Sequence, residues 1–158
     1  FGDHADEAKA LYPVADQEDI VPMFSRMLTE VGFASTVRLA ARAMSPVSPT
    51  FVYHFTRVPF DNPLGAFHGV EIPYVFGTVD LFTGLGKIEQ ADHDLSGAIM
   101  GYWTRFAATG DPNGGDAPAW PRYDPSSDRH LELGDAIRVG AGLSKEACDL
   151  ADRVRGLD

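Results

Sequence analysis

The sequence predicts an α/β fold built of few strands with flanking helices, and three observations carry that reading. Apolar residues recur at helical spacing in several separate stretches. One segment, 50–57, is rich in aromatic and β-branched residues on both of its alternating faces. The helical stretches lie on either side of that segment, in the order helix, helix, strand, helix, helix, strand, helix. A strand apolar on both faces belongs to a sheet covered on both sides. One strong strand and one short one are too few for a parallel sheet that stands alone, so the sequence reads as part of a larger fold.

Residues 16–31 form the first amphipathic helix, with Ile20, Phe24, Met27, Leu28 and Val31 on one face. Pro22 fits only the first turn, which favours Asp19 over Asp16 as the cap. Gly32 is expected to separate it from a second helix at 34–44, where Phe33, Val37, Ala40, Ala41 and Met44 share a face. The run Ser45-Pro46-Val47-Ser48-Pro49 ends that helix, because proline lacks an amide donor and restricts the residue before it. The strand follows, then a loop at 59–67 containing Pro, Gly and Asn. Asp92 is expected to open a helix over 93–109, with Leu95, Ile99, Tyr102, Trp103 and Phe106 on one stripe and Gly110 and Pro112 as its stop. Residues 110–127 read as loop, Leu131 and Leu133 as a short strand, and 144–155 as a last helix with Ala147, Leu150, Ala151 and Val154 inward.

Composition narrows the function classes. The chain has 158 residues, the size of one domain, and 13 basic against 23 acidic side chains, a net charge of −10. Such a chain repels phosphate backbones and carries no basic stripe interleaved with aromatics, so nucleic acid is not an expected partner. No run of eighteen apolar residues spans a membrane. The single cysteine, Cys148, rules out an intramolecular disulfide framework and a cysteine-based zinc site, and nothing near it suggests a reactive thiolate. His4, His54, His93 and His130 lack metal-ligand spacing, and His54 falls inside the strand. Compartment stays open.

The chemistry-bearing stretch is Gly65-Ala66-Phe67-His68-Gly69-Val70-Glu71-Ile72-Pro73-Tyr74-Val75-Phe76-Gly77. It resembles the histidine motif of the type B carboxylesterases and cholinesterases, which are α/β-hydrolases. Two more blocks resemble the same family in order and spacing: Ile99-Met100-Gly101-Tyr102-Trp103-Thr104-Arg105-Phe106-Ala107-Ala108-Thr109-Gly110-Asp111-Pro112-Asn113, and Trp120-Pro121-Arg122-Tyr123. Together the blocks cover about residues 50–135. The resemblance implies the C-terminal part of an α/β-hydrolase fold, with residues 1–158 a segment of a carboxylesterase type B domain and not a complete one.

It also implies a role for His68 as the catalytic histidine. An imidazole can accept a serine proton and return it to the leaving alcohol near neutral pH. In α/β-hydrolases the triad runs Ser, then Asp or Glu, then His. The serines at 25, 35, 45, 48, 96, 126, 127 and 144 all lack a Gly-x-Ser-x-Gly elbow, so nucleophile and acid are expected upstream of this chain. Within the chain, Asp3, Asp6 and Glu71 are the alternatives for the acid. Glu71, three residues after His68, reads as a structural or helix-capping carboxylate rather than the orienting acid. Phe67 and Phe76 are candidates for a substrate pocket, whereas Tyr102, Trp103 and Phe106 read as core, and Trp120 and Pro121 as fastening a loop to it.

The function expected is therefore part of a serine hydrolase acting on a small-molecule carboxylic ester, with no cofactor. Its expected partner is the N-terminal half of the same fold, or a second copy through self-association. A non-catalytic binding module or a truncated remnant of the esterase fold is the competing class.

Overall fold

The computed structural model describes residues 1–59, 65–84 and 86–157. Its helices and strands are α1 (Ala5–Leu11), α2 (Ile20–Met27), α3 (Ser35–Met44), β1 (Tyr53–Phe55), α4 (Ile72–Val75), α5 (Gln90–Thr109), β2 (Arg129–Leu133), β3 (Ile137–Ala141) and α6 (Lys145–Arg155). The chain divides into two compact units. One comprises residues 1–48, 124–128 and 142–158; the other comprises 49–123 and 129–141.

In the first unit, α2 does not stop at Gly32. It runs through a π-helical stretch, Leu28–Ala34, directly into α3. Glycine weakens a helix but does not break it, and the looser winding absorbs the mismatch. Pro22 does sit in the first turn, but the Asp19 carboxylate accepts from the amides of Ala15 and Asp16 rather than capping α2.

The apolar faces read from the spacing are mostly exposed, with Ala41 the member that is buried. Ile20, Phe24, Leu28, Phe33, Val37 and Met44 are all at least half exposed, whereas Ser35, Arg38 and Ala41 are the buried residues of α3. The reason is ionic. Arg38, 5 % exposed, donates to Asp149 Oδ1 at 2.8 Å and Asp152 Oδ2 at 2.6 Å, and Arg42 reaches the same Asp152 oxygen at 2.7 Å. These contacts turn the arginine face of α3 toward α6. Ala147, Cys148, Leu150 and Ala151 fill the inward side of α6, but Val154 is exposed, contrary to its expected placement. Burial pushes the Cys148 thiol up, which leaves it protonated and inert.

In the second unit, the expected strand 50–57 shortens to Tyr53–Phe55. It pairs in parallel with β2, and β2 pairs antiparallel with β3, giving the order β1-β2-β3. Among the described residues β1 is paired along one edge only. Tyr53 and Phe55 pack toward a core of Tyr74, Val79, Leu95, Ile99, Tyr102, Trp120, Leu131 and Leu133. On the opposite face His54 meets His130 edge to face, with ring centroids 6.1 Å apart. The helix expected at 93–109 begins three residues earlier, and Asp92 sits inside its first turn instead of opening it. Gly110, at φ 76°, ends α5 as expected. The expected loop 59–67 falls partly on residues 60–64, which lie outside the described residues.

Arg38→Ala removes the buried partner of Asp152 and leaves it only the more exposed Arg42 at 2.7 Å and Arg155 at 4.0 Å. Urea unfolding of a folded preparation followed by circular dichroism should register a loss of about 3 kcal/mol, the scale of a broken buried ion pair. A loss below about 0.5 kcal/mol, the size of an ordinary surface change, would contradict this account of α3 packing.

Candidate active site

The segment carrying His68 is a tight turn followed by a single helical turn. The Val70 amide donates to the Phe67 carbonyl at 3.1 Å, which places His68 second and Gly69 third in a four-residue turn. Gly69 has φ 86° and Gly65 has φ 63°, the left-handed values that a side chain resists and that a type II turn requires at its third position. His68 is exposed at the crest of this turn. Both residues that follow it inward, Val70 and Tyr74, are buried to 1 % exposure or less. The turn is therefore pinned from its C-terminal side while the imidazole stays open to solvent.

Polar contacts fix that pinning. Asp92 has no solvent exposure. Its Oδ1 accepts from Arg57 Nε at 2.7 Å and from the Tyr74 hydroxyl at 2.7 Å. Its Oδ2 accepts from Arg57 Nη2 at 3.1 Å and from the Glu89 amide at 2.8 Å. The Glu89 side chain in turn accepts from the Asp92 amide, completing a reciprocal cap at the start of α5. Arg57 also reaches Asp135, in the β2–β3 connection, at 2.7 Å, and Ser96 Oγ donates to the Tyr74 carbonyl at 2.8 Å. One carboxylate thus joins the exit of β1, the start of α5 and the helix behind His68.

Electrostatics follow this geometry. Burial works to raise the Asp92 pKa, but the bonds from Arg57, Tyr74 and the Glu89 amide outweigh it and hold the carboxyl at about 2. Hydrogen bonding to Asp92 drives the Arg57 guanidinium further up. Burial, then the same carboxylate, pushes the Tyr74 phenol up.

Glu71 is half-buried at the N-cap of α4, yet its side chain makes no capping bond there. Its carboxylate faces Tyr53, whose phenol is raised by burial and then by Glu71. Asp3 and Asp6 are exposed residues of the first unit. Phe76 is 73 % exposed, and neither it nor Phe67 lines the aromatic cavity of about 180 Å³ formed by Phe51, Tyr53, Tyr102, Trp103, Phe106, Pro112 and Trp120. Two polar atoms of that cavity's rings are already engaged. Trp120 Nε1 donates to the Val52 carbonyl and the Tyr102 hydroxyl to the Pro118 carbonyl. Phe106, expected in the core, is 47 % exposed at its rim. Among the described residues no group of three His, Cys, Asp or Glu side chains is placed to hold a metal ion.

Arg57, Tyr74 and Asp92 were not singled out by the sequence as site residues. The one local signal was the acidic pair Glu89 and Asp92 three apart before an apolar helical stripe, a variant of the reciprocal helix cap.

A family model described as the carboxylesterase family matches residues 5–151. The chain belongs to the carboxylesterase family. It is 30% identical over 150 residues to fumonisin B1 esterase of Sphingopyxis macrogoltabida, covering 90% of this chain and 28% of that protein. It is 34% identical over 141 residues to acetylcholinesterase of Gallus gallus, covering 86% of this chain and 18% of the relative. A solved structure of PNB esterase superposes with a TM-score of 0.77 at 28% identity, over 91% of this chain and 29% of that one. This member of the carboxylesterase family therefore spans less than a third of the length of these relatives, and its expected class, an α/β arrangement forming part of an α/β-hydrolase fold, holds.

A carboxyl held low in the folded state contributes stability above its unfolded pKa, and that contribution is lost as pH falls through the folded value. For Asp92, with an unfolded value near ~3.9 and a folded one of about 2, the contribution is present above roughly pH 5 and gone below pH 2. The stability gap between the native chain and Asp92→Asn, measured by urea unfolding from pH 7 downward, should therefore narrow by on the order of 2 kcal/mol toward pH 2. A gap independent of pH would show that Asp92 is not the ionised centre of this network.

Proposed function

We propose that this chain is the C-terminal segment of a serine carboxylic-ester hydrolase and supplies His68 to a Ser-His-Asp/Glu triad whose other members lie upstream. The observation that carries the reading is the exposed His68 on a glycine-bracketed turn behind a sheet strand, in a chain of the carboxylesterase family. His68 takes the proton of the serine hydroxyl as that oxygen attacks the ester carbonyl. It then returns the proton to the departing alcohol, and the acyl-enzyme is hydrolysed by water activated in the same way. The upstream acid holds the imidazole in the right tautomer. Glu71 is not that acid in this reading, because its carboxylate is engaged toward Tyr53.

The substrate is a small-molecule carboxylic ester and no cofactor takes part. The partner is the preceding part of the esterase fold, with self-association as its substitute when that part is absent. Two features support this. β1 is paired along one edge only among the described residues, and Phe24, Leu28, Phe33, Val37 and Met44 leave an apolar stripe exposed along the α2–α3 run. The net charge of −10 keeps nucleic acid outside the partner class. No helix among the described residues is long and apolar enough to cross a membrane.

In a polypeptide that combines this segment with the preceding part of the fold, His68→Ala should lower kcat by several orders of magnitude, because triad members act as a unit. Near-normal turnover of a nitrophenyl ester by that variant would assign the proton transfer to another residue. The 158-residue chain purified alone should show no serine labelled by a covalent phosphonate and should self-associate on sizing chromatography. A labelled, turning-over monomer would overturn the division of the triad.

A further inference from the structure

Resting on the reading of His68 as the triad histidine, we infer that Asp92 is the positioning residue for the His68 turn, acting through Tyr74 and Arg57. The helix behind His68, Ile72–Val75, is a single turn, far too short to hold its shape unaided. Ile72 on it and Phe76 just beyond it are exposed, Val75 is only partly buried against the core, and Tyr74 is its one fully buried anchor. That anchor is fixed at both of its polar ends. Its hydroxyl donates to Asp92 and its carbonyl accepts from Ser96, two points on α5 one helical turn apart. Two bonds of this kind prevent the tyrosine from sliding along α5 and the short helix from rotating about its own axis.

The Ile72 amide, which donates to the Gly69 carbonyl at 3.1 Å, carries that constraint back into the turn that presents His68. On the other side Arg57 ties the exit of β1 to the same carboxylate through two parallel bonds. Both ends of the chain stretch bearing His68 are thus referred to one buried atom group. Neither Asp92 nor Tyr74 is exposed, so neither reaches substrate; their influence on the reaction passes through the direction of the imidazole.

The test compares Tyr74→Phe and Asp92→Asn, each alone and each combined with His68→Ala, in the polypeptide that carries this segment together with the preceding part of the fold. Circular dichroism establishes that each variant is folded at the assay temperature. Tyr74→Phe removes one oxygen and is the milder change should Asp92→Asn prevent folding. With native His68, both should lower kcat by about 10- to 100-fold, the scale of a small misplacement of a reacting group, while KM stays within about 2-fold. In the His68→Ala background neither should lower the residual turnover further, since there is no imidazole left to direct. An unchanged kcat in folded variants, with His68→Ala inactive, overturns the positioning role and leaves the role of His68 intact. An equal proportional loss in both backgrounds overturns it as well, by showing a merely structural effect. Wild-type turnover by His68→Ala overturns this inference together with the reading beneath it.

Discussion

A carboxylate with no access to water must find its solvation inside the protein, and Asp92 sets that requirement for the second unit. Left unpaired, a buried charge costs several kcal/mol, so a full set of donors is the condition for burying one. Asp92 meets it with Arg57, the Tyr74 hydroxyl and the Glu89 amide. Each donor belongs to a different element, and satisfying one residue therefore determines where three elements stand. The first unit repeats the principle with opposite signs. The buried Arg38 recruits Asp149 and Asp152, and in doing so decides which face of α3 turns inward.

The two networks differ in what they organise. Arg38 and its partners join helix to helix, and their consequence is an apolar stripe left facing solvent. Asp92 joins a strand exit, a long helix and the short helix behind an exposed histidine. A rigid frame behind an exposed polar side chain is what a directional proton transfer demands, because the acceptor must be aimed before the reaction starts. The glycines at 65 and 69 serve the same end from the other side, allowing the backbone to turn sharply enough to lift His68 off the core.

Much of this was legible in the sequence. The histidine turn, the stripe of α5 with Gly110 at its end, the Leu131–Leu133 alternation and the last helix are local patterns, and local patterns survive reading from one chain. The α2–α3 stripe shows where legibility stops. Its spacing reveals an apolar face, but not whether a partner is present to cover it. β3 went unread although Ile137, Val139 and Ala141 alternate with Arg138 and Gly140, because the run is short and carries an interior glycine that weakens a strand signal. Asp92 looked like a helix cap because aspartate commonly is one. Its actual partners, Arg57 and Tyr74, lie 35 and 18 residues away, and no spacing rule joins them. The strand 50–57 was overestimated for a related reason: apolar faces extend beyond Tyr53–Phe55, but ladder pairing extends only as far as β2 provides a neighbour.

The most direct measurement is a crystal structure of the polypeptide joining this segment to the preceding part of the esterase fold, with its nucleophile free. The account predicts a His68 imidazole nitrogen within about 3 Å of a serine Oγ on a Gly-x-Ser-x-Gly elbow, with Tyr74 and Arg57 still seated on Asp92. A serine engaged by a different histidine, with His68 turned away from any cleft, would contradict it.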